Sequence, residues 1–167
     1  MRSRRAATLL LSAVASCALT AIAAAPPASG AASTTVKVYF PRGETGASCA
    51  RVHARTRTVK GAGVLRGALT ALLRGPTRAE RRLGYGGWFS ARTAGRLRSV
   101  RIARGVARID FRDLRRIIPN ASTSCGSALL LAQLNRTARQ FPTVRRAIYS
   151  FDGSVRGFYE WLQLSAP

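Results

Sequence analysis

The chain has 167 residues, with 28 lysines and arginines against 6 aspartates and glutamates and a formal net charge of +22. That length suits one ordinary domain with a hydrophobic core of its own and leaves no room for a second. One histidine, His53, and three cysteines without a CxxC or HxxxH spacing argue against a metal site, and neither metal nor cofactor is expected.

Residues 1–31 have the order of a secretory signal. Basic Arg2, Arg4 and Arg5 precede the apolar stretch from Ala6 to Ala24, and small residues follow at Ser29, Gly30 and Ala31. Cleavage near Ala31 is predicted, leaving residues 32–167 as the exported domain. In the alternative, Val14-Ala15-Ser16-Cys17 resembles a lipoprotein box with Cys17 acylated, although residues 18–25 stay apolar where a polar tether is usual. No later segment approaches the ~20 apolar residues that cross a bilayer. The remaining cysteines, Cys49 and Cys125, form an even pair that oxidises outside the cytoplasm, so a Cys49–Cys125 disulfide is predicted, with two buried thiols as the alternative.

In chain order, Thr34 to Phe40 alternates as a first strand and stops at Pro41-Arg42-Gly43. Val52 to Val59 alternates again, with Val52, Ala54, Thr56 and Thr58 opposite His53, Arg55 and Arg57, which predicts a second strand with a basic outer face. Leu65, Leu69, Leu72 and Leu73 make one face of a helix over Val64 to Arg74, ended by Gly75. Thr77 to Glu80 fits a capping box for a short helix through Leu83, and Gly84 to Phe89 reads as a flexible aromatic loop. Leu97 to Ile102 and Val106 to Phe111 read as a hairpin joined by Ala103-Arg104-Gly105, glycine supplying the turn, with a bulge near Ser99, and Asp113 caps one helical turn ending at Pro119. A helix from Ser124 carries the stripe Ala128, Leu130, Leu131, Leu134, Ala138 and Phe141 up to Pro142, with Arg136 and Arg139 outward. Val144 to Phe151 is a last core strand, followed by an Asp152-Gly153 turn and an aromatic tail (154–167) that pairs with it or packs over it.

This order predicts a single two-layer α/β (α+β) domain, one mixed or antiparallel sheet with two main helices on one face. Catalytic chemistry finds little footing. His53 sits on a strand among arginines without an orienting partner. Of the acids Glu44, Glu80, Asp110, Asp113, Asp152 and Glu160, Glu80 and Asp113 read as helix caps and Asp152 as a turn residue, while Asp110 and Glu160 have arginines beside them at Arg108, Arg112 and Arg156. Gly84 to Gly87 has the bare Gly-x-x-Gly spacing of KH nucleic-acid modules, a weak signal because glycine-rich loops after helices are common punctuation. Tyr85, Trp88 and Phe89 are candidates for contact with a sugar or a partner, against the plainer reading of a lid over the core edge.

The arginines carry more weight. With Arg2, Arg4 and Arg5 in the leader, the domain keeps 25 basic side chains against 6 acids, so most must face water or polyanions. Arg51, Arg55, Arg57, Arg96, Arg98, Arg101 and Arg104 are the candidate polyanion-binding set, directed at wall polymers, anionic lipid head groups or an acidic protein partner.

Several segments, taken in order, resemble the GerMN domain, a family named for sporulation and spore germination. They are Val36-Lys37-Val38-Tyr39-Phe40-Pro41, Ala68-Leu69-Thr70-Ala71-Leu72-Leu73-Arg74-Gly75-Pro76-Thr77 and Gly105-Val106-Ala107-Arg108-Ile109-Asp110-Phe111. The likeness continues through Leu130 to Leu134 and Gln140 to Val144 to Phe151-Asp152-Gly153, about residues 34–153. It implies a small α/β fold similar to ring-building modules of sporulation machinery, used for assembly or envelope binding, with no catalytic chemistry. The single copy, the cysteine pair, the positive charge and the aromatic C-terminal segment depart from that pattern. The expectation is a non-enzymatic, secreted or envelope-bound module; the alternative is a secreted nucleic-acid-binding protein.

Overall fold

The computed structural model describes residues 32–43, 49–61 and 63–167. The predicted signal peptide, Cys17 and Glu44 lie outside the described residues. The elements run β1 (Ser33–Phe40), β2 (His53–Lys60), α1 (Val64–Leu73), α2 (Arg78–Arg82), β3 (Leu97–Ala103), β4 (Val106–Phe111), α3 (Ser124–Ala138), β5 (Arg146–Phe151) and α4 (Val155–Trp161).

The α+β class holds, with one refinement: the five strands divide between two sheets. β1 pairs antiparallel with β2, while β3, β4 and β5 form a mixed sheet in that order, β3–β4 antiparallel and β4–β5 parallel. Apolar alternation tells which face of a strand is buried but not which strand lies beside it, so the division left no mark in the pattern. One hydrophobic cluster nevertheless serves both sheets, because α1 packs against β1, β2 and β3 and also against α3. No helix among the described residues is long and apolar enough to cross a membrane.

The helix α1 buries Leu65, Ala68, Leu69, Leu72 and Leu73 along one face, and Gly75 ends it in the left-handed region at φ +76°. A Cβ there would lie 2.3 Å from the Phe89 carbonyl oxygen, a backbone atom with little freedom to retreat. Gly75→Ala is therefore expected to cost roughly 2 to 3 kcal/mol, read as a lowered midpoint in urea at unchanged slope.

The hairpin turns on Arg104 and Gly105, both at positive φ as a type I′ turn requires, and the register shift falls between Leu97 and Ser99 where the pattern breaks. Asp113 does start a turn: its carboxylate accepts the Arg115 N–H, and the N–H groups of Ile117 and Ile118 both reach the Leu114 carbonyl. A disulfide joins Cys49 to Cys125, across 76 residues of sequence, and ties the loop after β1 to the first turn of α3.

One expectation is corrected. The parity of β2 is inverted: Arg55 and Arg57 are half-buried and Val59 is buried, while Ala54, Thr56 and Thr58 face water. Register is the reason, since Arg57 lies opposite Val36 and Arg55 opposite Val38, on the buried face of β1. The C-terminal segment packs over β5, one of its two expected arrangements, and does so as a helix. Ser154 caps α4 by accepting the Gly157 N–H, and fully buried Phe158 sits among Phe111, Tyr149, Phe151, Tyr159 and Trp161, with ring centroids 5.0 to 6.3 Å away.

Candidate functional site

The aromatic loop is engaged inside the domain. Phe89 is 2% exposed and belongs to the core, so it cannot touch a sugar or a partner. Trp88 is half-buried; its indole N–H donates to the Gly126 carbonyl at 3.0 Å and its backbone N–H to Gln133 Oε1 at 3.3 Å. The Tyr85 ring lies under two guanidinium groups, Arg55 at 4.8 Å and Arg42 at 5.5 Å, which occupies its π face. The three aromatics form a lid over the core edge. Gln133, a polar residue missing from the predicted α3 stripe, is fully buried and fastens the lid to β1 by donating to the Tyr39 carbonyl.

The described acids are all paired. Buried Glu80 completes the capping box with Thr77 and accepts from Arg57 Nη2 at 2.6 Å, Arg57 Nη1 at 2.8 Å and Arg55 Nε at 3.0 Å. Chiefly through the Arg57 hydrogen bonds, partly opposed by burial, its carboxyl is lowered to about 2. Asp110 and Asp152 share Arg98 Nη1, at 3.1 and 3.3 Å, and Asp110 also accepts from the Ser150 hydroxyl and the Gly153 N–H. Arg115 holds Asp113 below the usual carboxylate range, again mainly by a hydrogen bond, and Arg156 pairs with Glu160 one turn along α4. His53 stands exposed at the start of β2.

These pairings thin out the predicted arginine set. Arg55 and Arg57 are committed to Glu80 and Arg98 to its two aspartates, so these three leave the candidate surface, while half-buried Arg96 gives its carbonyl to the Arg112 N–H. Arg51 is exposed in the loop just before β2, outside the mixed sheet. Arg101 and Arg104 remain, and the fold brings three unpredicted arginines to them. Arg108 is the cross-strand partner of Arg101, Arg146 pairs in register with Val106, and Arg145 donates its Nη2 to the Arg104 carbonyl at 3.1 Å. The backbone N–H groups of Arg145 and Arg146 both bond to the Gly105 carbonyl, which holds the dipeptide at the hairpin tip.

Ala107, Ile109 and Phe111 on β4 face the core, so Arg108 stands on the opposite face of the mixed sheet, away from the buried cluster. None of the six ion pairs among the described residues involves Arg101, Arg104, Arg108, Arg145 or Arg146. Like charges directly opposite in an antiparallel pair destabilise it, and Arg101 facing Arg108 is such a pair. A second basic concavity of about 540 Å³ lies between β1 and α3, lined by Tyr39, Asn135, Arg136, Arg139 and Gln140. Arg108 was readable as outward from its place between Ala107 and Ile109; the approach of Arg145 and Arg146 needed the parallel β4–β5 pairing, which no local pattern announces.

No curated protein matches the chain. Among solved structures, a Clostridium perfringens protein described as a candidate lipoprotein is similar at 16% identity and a TM-score of 0.44, over 75% of this chain and 77% of that one. The family model Germane, described as sporulation and spore germination, matches residues 37–155. Since that match runs from within β1 to the first residue of α4, the chain belongs to the Germane (GerMN) family of sporulation and spore germination.

Proposed function

We propose that this chain is a non-catalytic module of the cell envelope that holds phosphate-bearing wall polymers through the arginines at the tip and outer face of its mixed sheet. The observation that carries the reading is the Arg101–Arg108 pair, two like charges set opposite one another with Arg104, Arg145 and Arg146 alongside and no acid bonded to any of them among the described residues. Such an arrangement costs stability in the free protein and becomes favourable when a row of phosphates enters, since guanidinium groups grip phosphate oxygens bidentately. The signal-like order of residues 1–31 and the disulfide support a place outside the cytoplasm. The engagement of every described carboxylate with arginine supports the absence of an acid–base pair.

Co-sedimentation with purified cell walls tests the reading. Binding is expected at low salt, to fall steeply between about 0.05 and 0.5 M salt, and to weaken about tenfold in the double variant Arg101→Glu, Arg108→Glu. No binding to walls at low salt overturns it. Tighter, length-dependent binding to DNA or RNA than to walls would favour a secreted nucleic-acid-binding protein instead.

A further inference from the structure

The sheet edges of this domain are not treated alike. On β1 the outer edge is closed by side chains from α3 and its C-terminal end: the Lys37 N–H donates to Gln140 Oε1 at 2.8 Å, Gln140 Nε2 donates to the Lys37 carbonyl at 2.7 Å, and Gln133 Nε2 donates to the Tyr39 carbonyl at 3.2 Å. At the far edge of the mixed sheet α4 packs on β5, and the Phe151 N–H bonds to the Ser154 carbonyl at 3.0 Å. The edge of β3 is closed only at its start, where Arg66 donates twice to the Arg98 carbonyl at 3.2 Å. In a two-residue hairpin the pair next to the turn, Ala103 and Val106, exchanges both ladder bonds, and alternation turns the N–H and C=O groups of Ile102 and Val100 to the other side. Among the described residues no hydrogen bond from beyond the ladder reaches those groups.

Beside this open edge lies an apolar groove of about 530 Å³, lined chiefly by Val64, Leu65, Val100, Ile102, Phe141 and Pro142. Ile102 is 43% exposed although its cross-strand partner, Ala107, is fully buried, so its side chain points toward the core side of the sheet and finds the groove there. Arg101 alternates to the opposite face, and Arg66, Arg104 and Arg145 stand at the margins, Arg66 in the groove wall and the other two at the turn.

We propose that β3 and this groove take an extended segment of a partner protein by strand addition, a segment in which apolar and acidic residues alternate. Backbone groups of the incoming strand would pair with Val100 and Ile102, its apolar side chains would enter the groove, and its carboxylates would lie on the other face beside Arg101. A second copy of this chain does not fit, because pairing β3 with β3 sets Arg98, Arg101 and Arg104 against their own kind. The inference shares Arg101 with wall binding, which otherwise needs neither the free edge nor the groove.

The test titrates the purified protein with two labelled octapeptides of equal composition, one alternating valine and glutamate and one with four glutamates followed by four valines, read by fluorescence anisotropy. The alternating peptide is expected to bind about tenfold or more tightly than the block peptide, and to slow amide exchange at Val100 and Ile102. Ile102→Pro, which removes an edge N–H at a position where proline is tolerated, and Ile102→Glu, which puts a charge in the groove while keeping the backbone, should each abolish the preference. Equal affinity for the two peptides overturns the proposal in favour of unspecific charge attraction, even in a protein that still binds walls. Unchanged exchange at Val100 and Ile102 overturns it too, as does sedimentation as a dimer paired through β3.

Discussion

Glu80→Gln is expected to lower stability at pH 7 by roughly 3 kcal/mol, the free energy equivalent of lowering its carboxyl from the ordinary 4.5 to about 2. Glutamine retains the shape but turns an amide N–H toward Arg57 and removes the negative charge from between two half-buried guanidinium groups. The capping box also loses the carboxylate that accepts the Thr77 N–H. The pH dependence identifies the cause. A depressed carboxyl contributes fully above about 4.5, and the contribution drains away as pH falls through about 2. Urea titrations should therefore show the native protein well above the variant at pH 7 and the two converging near pH 2. A gap that stays constant across that range would trace the loss to packing rather than to the ion pairs.

Removing the disulfide by the double substitution Cys49→Ser, Cys125→Ser should cost about 4 kcal/mol, an upper value from the chain entropy of closing a loop of 76 residues. The bond connects a loop beyond β1 to the N-terminal turn of α3, a cross-link between the two-stranded sheet's end of the chain and its second half. Denaturation of the native protein with and without reductant should reproduce the difference, and the double variant should no longer respond to reductant. A difference below about 1 kcal/mol would mean that packing of α1 and α3 already constrains the unfolded chain or the loop.

Most elements were legible because their signals are local. The Leu65, Leu69, Leu72 and Leu73 spacing, the Thr77–Glu80 box, the Arg104–Gly105 turn and the break at Ser99 each depend on a few neighbouring residues, and each stands where the pattern placed it. What stayed hidden depends on partners distant in sequence. The inward turn of Arg55 and Arg57 became possible only because Glu80, 25 and 23 residues later, is carried to them by α2. Alternation alone assigns such arginines to water, since it weighs apolar against polar without knowing where the acids are. α4 begins Val155-Arg156-Gly157, a β-branched residue and a glycine within its first turn, so its helicity comes from burying Phe158 and Tyr159 rather than from propensity. The buried face of α3 takes in more than its apolar stripe for a similar reason: Gln133 and Thr137 are fully buried beside Leu130, Leu134 and Ala138, the glutamine because β1 and Trp88 offer it partners. On the candidate surface, two of the seven predicted arginines, Arg101 and Arg104, form part of the exposed cluster; Arg108 joins them across the hairpin, and Arg145 and Arg146 arrive through the β4–β5 pairing.

The aromatic group around Phe158 has a consequence for how the molecule is made. Of the three strand rings that Phe158 packs against, Phe111 is far back in the chain while Tyr149 and Phe151 lie on the strand just before it. Until that ring has emerged, a growing polypeptide has sheet strands but an unfilled hollow beside them, and its native state is out of reach. A chain without α4 would thus stay open at that hollow, and any factor that shields greasy surface would keep hold of it.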